Sequence, residues 1–469
     1  MSLNNSKNKF RFRIPHTFVV LFLLIIITAI ATWFIPAGQY DRVEDPDTGK
    51  MTVVPGSFKY VESSPVGFFD TFVAVQKGMV DAAPIIFFIF IVYGSFYIVL
   101  KTGTLNNAIA YIIKRLKGKE LLIIPISMYL FGLSGAIFGM AEETIAFIPI
   151  MVSLAIALGY DAIVGMSMVN LAANTGFAAA FLNPFTIGVA HGIAGLPLFS
   201  GMEFRIVNFI VFETLAVWWT MRYAAKIKRN PSASIAKDLD YSTFKIEEKD
   251  LSAEFTSRQK LILVILGATI AVLIYGVLKL GWYIDELAGL FLIMGIASGF
   301  VGGFNANQIA EYFIEGCKEV ISGAFLVGLG RGVLMVMNQA NITDTVVYAL
   351  SQPLLLLPKW VAAEGMLFVQ TLINFLIPSG SGQAAVTMPI MAPLADVLNI
   401  TRQTAVLAFQ YGDGFSNLLW PTTLLPVFCG IAKIKIDRWW KYYIPFFFII
   451  LIVQMIFIAV AVAINYGPF

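Results

Sequence analysis

Three carboxylates stand where the surrounding sequence is otherwise apolar or small: Glu142 and Glu143 in SGAIFGMAEET, and Asp413 in FQYGDGFSN. A charge at membrane depth costs at least about 2.5 kcal/mol. Carboxylates in such surroundings therefore point to chemistry that needs them, whether carrying a proton, binding sodium or receiving a cationic ligand. Neutral ligating groups accompany them. Thr144 follows the first pair. Asn174, Thr175, Asn183 and Thr186 interrupt the next apolar run, and Ser379, Gly380, Ser381, Gly382 and Gln383 form a small-residue turn. Ser416, Asn417, Thr422 and Thr423 follow Asp413. Small residues can simply let helices approach, and Asn or Thr can bond within its own helix. The carboxylates are not absorbed by either reading.

Other chemistry is thinly represented. The chain has two histidines, His16 and His191, too few for a His-based metal site or triad. Its two cysteines, Cys317 and Cys429, lie far apart in apolar segments and read as packing residues. No Walker sequence, HExxH or GxSxG is present, and no basic patch with interleaved aromatics, so an enzyme and a nucleic-acid partner are not indicated. Within the apolar runs, Glu213 reads as a hydrogen-bonded structural group or a proton relay. Arg331 reads as the partner of an acid or of a substrate carboxylate, and His191 as structural.

The elements that must position these groups follow from composition. Of 469 residues, 58% are apolar and 13% charged, with mean hydropathy +0.80. A soluble domain carries about 25% charged residues, and a membrane-crossing helix needs about 20 apolar ones. Alternating strands are absent, which excludes an outer-membrane barrel. The expected fold is therefore all-α integral membrane. Basic clusters orient it: Lys7, Lys9, Arg11 and Arg13 place the N-terminus in the cytoplasm, as do Lys114, Arg115, Lys117 and Lys119 for the next inside loop. Arg222, Lys226, Lys228, Arg229 and later Lys433, Lys435, Arg438, Lys441 fall on the same side.

This threading predicts about nine crossings, at 17–36, 84–101, 162–190, 204–223, 260–280, 286–303, 320–338, 401–431 and 443–464. Two further segments, 121–159 and 360–399, have short arms joined by a small-residue turn and read as re-entrant hairpins. An interfacial helix at 72–79 and an amphipathic stretch at 309–319 flank the spans. The crossings at 162–190 and 401–431 read as broken helices, the first at Asn174-Thr175-Gly176 and at Asn183-Pro184. Trp439, Trp440, Tyr442 and Tyr443 read as an interfacial belt.

The halves repeat. EETIAFIPIMVSLAIALG aligns with GQAAVTMPIMAPLADVLN, sharing Pro149-Ile150-Met151 with Pro389-Ile390-Met391. NTGFAAAFLNPFT aligns with GDGFSNLLWPTT. One extra crossing precedes the second set, so the matched segments have opposite orientation, the pattern of an inverted-repeat secondary transporter. The division is 1–228, a cytoplasmic linker 229–258, and 259–469. Both hairpin tips and both helix breaks then converge. The expected binding residues are Glu142, Glu143, Thr144, Asn174, Thr175, Asn183, Ser379, Gly380, Ser381, Gly382, Gln383, Asp413, Ser416, Asn417 and Thr422. Freed carbonyls would hold a cation and helix N-termini an anion, with a candidate sodium site near Asn174, Gly382 and Asp413. No cofactor beyond a coupling sodium or proton is expected.

GMAEETIAF, NPF, NFLIPSGSGQA, MPIMAPLAD and FQYGDGFSN resemble the YfcC family over nearly the whole chain. That family is related to the anaerobic four-carbon-dicarboxylate carriers of the ion transporter superfamily. The resemblance implies a bacterial inner-membrane homodimer with scaffold and transport domains, elevator-type movement, and substrate held between hairpin tips and broken helices. It also implies antiport of basic amino acids, similar to arginine/ornithine exchangers. The AEET tip and the GDG break depart from the Ser-Asn-Thr pattern of sodium-coupled dicarboxylate members. Two substrate classes therefore stay open, a basic amino acid or a dicarboxylate or other small anion moved with sodium or protons. A channel is the remaining contrast.

Overall fold

An apolar run in lipid must satisfy its backbone N–H and C=O groups internally, which favours helix over any open sheet. The computed structural model describes residues 17–44, 51–54, 56–115, 119–244 and 256–467, and helix dominates them. Lys7, Lys9, Arg11, Arg13, His16, Lys117 and residues 245–255 of the expected linker lie outside the described residues.

In the first half the helices are α1 (Thr17–Ala31), α2 (Phe68–Asp81), α3 (Ala83–Lys101), α4 (Thr104–Arg115), α5 (Ile123–Phe138) and α6 (Ile148–Ala157). There follow α7 (Ala162–Met166), α8 (Ala172–Ala178), α9 (Val189–Ala194) and α10 (Met202–Arg229). The second half has α11 (Ser257–Leu280), α12 (Ile284–Gly302), α13 (Ala306–Gln339), α14 (Thr343–Ser351) and α15 (Lys359–Leu376). It ends with α16 (Gly380–Val397), α17 (Arg402–Ser416), α18 (Leu425–Ile431) and α19 (Ile436–Ala463). Among the described residues, seven helices are long and apolar enough to cross a membrane: α3, Glu120–Phe138 (which contains α5), α10, α11, α12, α13 and α19.

Several boundaries differ from expectation, each for a local reason. α1 stops at Ala31 rather than near 36, where Thr32 Oγ donates back to the Ala29 carbonyl at 2.6 Å. The following loop is not helical. Gly38–Gln39 (β1) pairs antiparallel with Lys59–Tyr60 (β4), and Arg42–Glu44 (β2) with Met51–Val53 (β3). The all-α expectation is corrected by these four short strands. They dock on α14 through Tyr40 N–H to Asp344 (2.9 Å), an Arg42–Asp344 ion pair (2.7 Å) and the Phe58 ring stacked on Tyr348. The interfacial helix is longer than 72–79, spanning all of α2. The amphipathic stretch at 309–319 and the span at 320–338 are one helix, α13, because no breaker separates them and Asn305 caps its start by accepting the Gln308 N–H. α13 is the most enclosed of the seven long helices and packs against α1, α2, α3 and α18.

The helix interruptions also move. Asn174, Thr175 and Gly176 are inside α8, which continues α7 through a widened turn at Ser167–Leu171. Asn174 stays helical because its Nδ2 donates one turn back to the Asn170 carbonyl at 2.9 Å. The real interruption is residues 179–183, which ends at the expected Asn183-Pro184. Likewise Gly412, Asp413 and Gly414 are helical in α17, and the chain opens only after Ser416, over residues 417–424. The turn at 360–399 is tighter than expected: Gly380, Ser381, Gly382 and Gln383 already form the first turn of α16.

The order of elements recurs. A short helix (α4, α14), two arms (α5 and α6, α15 and α16), an interrupted helix (α7–α8, α17), a short helix (α9, α18) and a 28-residue helix (α10, α19) follow in both halves. The first arm packs on the interrupted helix of its own half, α5 on α8 and α15 on α17. The α5–α8 approach is close enough that a Cβ on Gly176 would overlap the Gly132 carbonyl. Gly176→Ala should therefore force the helices apart and cost about 1–3 kcal/mol. Thermal unfolding in detergent checks this, with Gly267→Ala, where nothing lies within 4 Å of the added carbon, showing no loss.

Candidate substrate cavity

A cleft is lined from both two-armed segments and both interrupted helices. The first tip contributes Gly139, Ala141, Glu142 and Glu143. Asn174 and Phe177 come from α8, and Phe185 and Thr186 from the resumed helix beyond it. The second tip adds Pro378, Ser379, Gly380 and Ser381, and the second interruption adds Asn417, Thr422 and Thr423. Arg331 and Val327 of α13, Ile85 of α3 and Tyr283 complete the wall near Leu424 and Phe428.

The first tip is built by a left-handed stop. Gly139, at φ 73°, ends α5, a conformation that costs glycine little. Thr144 Oγ then donates to the Ala141 carbonyl (2.5 Å) and accepts from Asn170 Nδ2 (2.8 Å), bracing the tip against the interrupted helix. Glu143 is buried and accepts the Ala141 N–H at 3.0 Å, while Glu142 is half-buried on the cleft wall. Asn183 is fully buried and caps the resumed helix by accepting the N–H groups of Phe185 (2.9 Å) and Thr186 (3.3 Å).

At the second tip Ser379 Oγ accepts the Gly382 N–H at 3.3 Å, so that donor is occupied. Gln383 Nε2 donates to the Gln370 carbonyl (2.9 Å) and side chain (2.7 Å), fastening α16 to α15. Ser379, Gly380 and Ser381 at the start of α16 face the cleft. Asp413 lies directly behind them: a Cβ on Gly380 would be 3.2 Å from Asp413 Oδ2 and 2.7 Å from Thr186 Cγ2. Asp413 has no exposed surface, and neither of its carboxylate oxygens has a hydrogen-bond partner; the Thr175 and Thr186 hydroxyls are also unpartnered.

The structure thus brings Glu142, Glu143, Asn174, Ser379, Gly380, Ser381, Asn417 and Thr422 to the cleft. Thr144, Thr175, Asn183, Gly382, Gln383, Asp413 and Ser416 stand behind the wall. Several carbonyls around the second interruption do not wait for a cation, as expected of them, because side chains already occupy them. Asn374 Nδ2 donates to the Asp413 carbonyl (2.9 Å), the Ser416 hydroxyl (2.7 Å) and Asn417 Oδ1 (3.0 Å). Thr423 Oγ donates to the Asn417 carbonyl (2.6 Å) and Thr422 Oγ to that of Phe375 (2.8 Å).

The aromatic residues near 440 do the same rather than forming an interfacial belt. Trp439 is fully buried and donates to the Leu418 carbonyl, and Trp440 to that of Leu419, each at 2.9 Å. Tyr443 donates to the Phe415 carbonyl at 2.6 Å. Backbone released by a break must be satisfied somewhere in a dry interior, and indole N–H groups supply the donors. Trp439→Phe should leave the Leu418 carbonyl unpaired and cost about 1–3 kcal/mol. A lower unfolding temperature in detergent checks this, with Trp360→Phe, at a half-exposed site, unchanged.

Arg331 lies 3.6 Å from Asp81, as the acid-partner reading expects, and also lines the cleft. His191 is buried and accepts the Phe199 N–H at 3.0 Å, a structural role. Glu213 is fully buried against Gly132 with both oxygens unpartnered, so the hydrogen-bonded role is not observed. Cys317 donates to the Phe90 carbonyl and Cys429 is buried, both consistent with packing. Among the described residues no cluster of three or more His, Cys, Asp and Glu forms a metal site. Tyr283, Gln370 and Asn374 were missed by sequence reasoning; Asn374 opens the NFLIPSGSGQA motif, and that was its only signal.

A mostly helical chain with several apolar spans and a polar cleft bounded by helix ends has the make-up of a membrane transporter. Residues 14–463 match the family described as DcuC, C4-dicarboxylate anaerobic carrier, and the chain belongs to that family. It is 36% identical to a protein of Escherichia coli (strain K12) provisionally named basic amino acid antiporter YfcC, over 94% of each chain, which bears out the YfcC resemblance. It is 31% identical to an uncharacterised protein of Haemophilus influenzae, over 98% of this chain and 99% of that one. Among solved structures, the Alcanivorax borkumensis YdaH transporter aligns over 97% of this chain and 100% of its own, at 16% identity and TM-score 0.46.

Proposed function

We propose that this transporter exchanges basic amino acids of the arginine or ornithine type across the bacterial inner membrane. The observation that carries the reading is the charge arrangement of the cleft. Glu142 and Glu143 share it with a single cation, Arg331, which is already near Asp81. That balance favours an occupant with a net positive charge. A guanidinium suits a bidentate bond to a carboxylate, and the amino acid's own carboxylate suits Arg331 and the start of α16.

Asp413 is the proposed seat of the coupling ion. Its partnerless carboxylate near the unpartnered Thr186 hydroxyl fits a proton or a sodium ion. The matched order of elements supports two inverted repeats, with 121–159 and 360–399 as re-entrant hairpins. The family resemblance and the basic clusters support elevator-type displacement, a homodimer and a cytoplasmic N-terminus. The second reading, a sodium- or proton-coupled carrier of dicarboxylates, is favoured by Arg331 and by the family's description.

Counterflow separates the two. Purified protein is reconstituted in liposomes preloaded with unlabelled arginine or ornithine, and uptake of labelled arginine is followed without an ion gradient. Exchange-dependent uptake supports antiport. Its absence, with succinate uptake driven by an inward sodium or proton gradient, would overturn that reading and favour the dicarboxylate one.

A further inference from the structure

A second, open cavity lies between the C-terminal end of α10 and the N-terminal end of α19, away from the cleft. Arg222, Lys226 and Lys441 line it together with Trp219, Tyr223 and Tyr442. Among the described residues none of the three cations has an ion-pair partner; Arg222 stacks over the Trp218 ring at 5.5 Å. The Trp219 indole N–H is also without an acceptor. The two helix ends are held side by side by the Thr220–Tyr442 hydroxyl contact at 3.0 Å.

Depth along the helices is informative. The outward face of α10 is apolar through Val207, Ile210 and Trp218, then turns basic at Arg222 and Lys226. The outward face of α19 is basic at Lys441 and turns apolar at Phe448, Ile452 and Ile456. Both transitions fall at this cavity, which therefore spans the level where hydrocarbon meets headgroups. Cations between helix ends at that level attract phosphate esters, each contributing most within a Debye length of the surface.

We propose that this cavity is a binding site for the phosphate headgroup of an anionic phospholipid, with its acyl chains along the apolar faces of α10 and α19. The site is independent of the transported substrate. Native mass spectrometry of the full chain in detergent tests it, using phosphatidylglycerol, phosphatidylcholine with the same acyl chains, and inorganic phosphate as probes. Phosphatidylglycerol should bind at a concentration about tenfold lower than phosphatidylcholine. Arg222→Gln, Lys226→Gln and Lys441→Gln combined should abolish that preference, while Lys435→Gln, an exposed cation outside the cavity, should keep it. Equal binding of the two lipids to the unmodified protein would overturn the proposal without any variant. So would retention of the preference in the triple variant, or its loss in Lys435→Gln, which would mark diffuse surface charge. Displacement of the lipid by an equal concentration of inorganic phosphate would reassign the cavity to free phosphate.

Discussion

Asp413→Asn should insert, purify and unfold like the unmodified protein, yet transport about 100-fold more slowly. The reasoning rests on two observations: the carboxylate has no exposed surface, and neither oxygen has a partner. An ionised carboxylate in that state is costly, so the folded chain favours it either protonated or holding a cation. Asparagine has the same shape but cannot carry the proton and offers a cation no countercharge. Removing the group also removes a buried charge that can go unpaired, so the unfolding temperature should hold or rise. Proteoliposome uptake and a thermal melt on one preparation measure both. A wild-type rate in Asp413→Asn would remove Asp413 from the coupling step.

Glu142→Gln should act on substrate rather than on coupling. Glu142 is the half-buried acid of the cleft, whereas Glu143 is buried and accepts the Ala141 N–H. Replacing a charge-assisted bond to a guanidinium by a neutral one loses about 1.5–3 kcal/mol, or roughly 10–150-fold in affinity. The Michaelis constant for arginine counterflow should rise by that factor, and Glu142→Asp should recover part of it. Unchanged arginine affinity in Glu142→Gln would separate Glu142 from substrate recognition. A coupling role would instead appear as an altered dependence on the ion gradient.

The long apolar runs were legible because lipid permits few structures, so α3, α10, α11, α12, α13 and α19 appear near their expected places. The positions of the breaks were only partly so: Asn183-Pro184 and Asn417–Thr423 fall where expected, whereas the small-residue triplets do not break. Asn174-Thr175-Gly176 and Gly412-Asp413-Gly414 look like helix breakers by residue type. Asn174 is nonetheless held helical by a bond to its own turn, and Gly176 and Gly412 provide close contact with α5 and α15. Whether a glycine opens a helix or lets a neighbour approach depends on what faces it, and one sequence does not record that.

The cleft was half legible for the same kind of reason. Carboxylates flanked by apolar residues identify themselves by cost, and Glu142 and Glu143 reached the wall while Asp413 settled just behind it. Gln383, Thr144 and Ser416 have equally suitable side chains but use them for bracing. Their partners, Gln370, Asn170 and Asn374, lie on other elements, so the difference emerges only once the elements are packed. Trp439 and Trp440 failed in the opposite direction: paired indoles near basic residues resemble a headgroup belt, yet here they face inward.

Those indoles have a mechanical consequence. Together with Tyr443 they fasten the last turn of α17 and the start of the irregular segment after it to α19, a rod about 42 Å long. A segment riveted in that way does not flex alone. Any displacement of the Asn417–Thr423 side of the cleft must carry the rod with it, so a covalent staple restraining α19 should hold that wall in place.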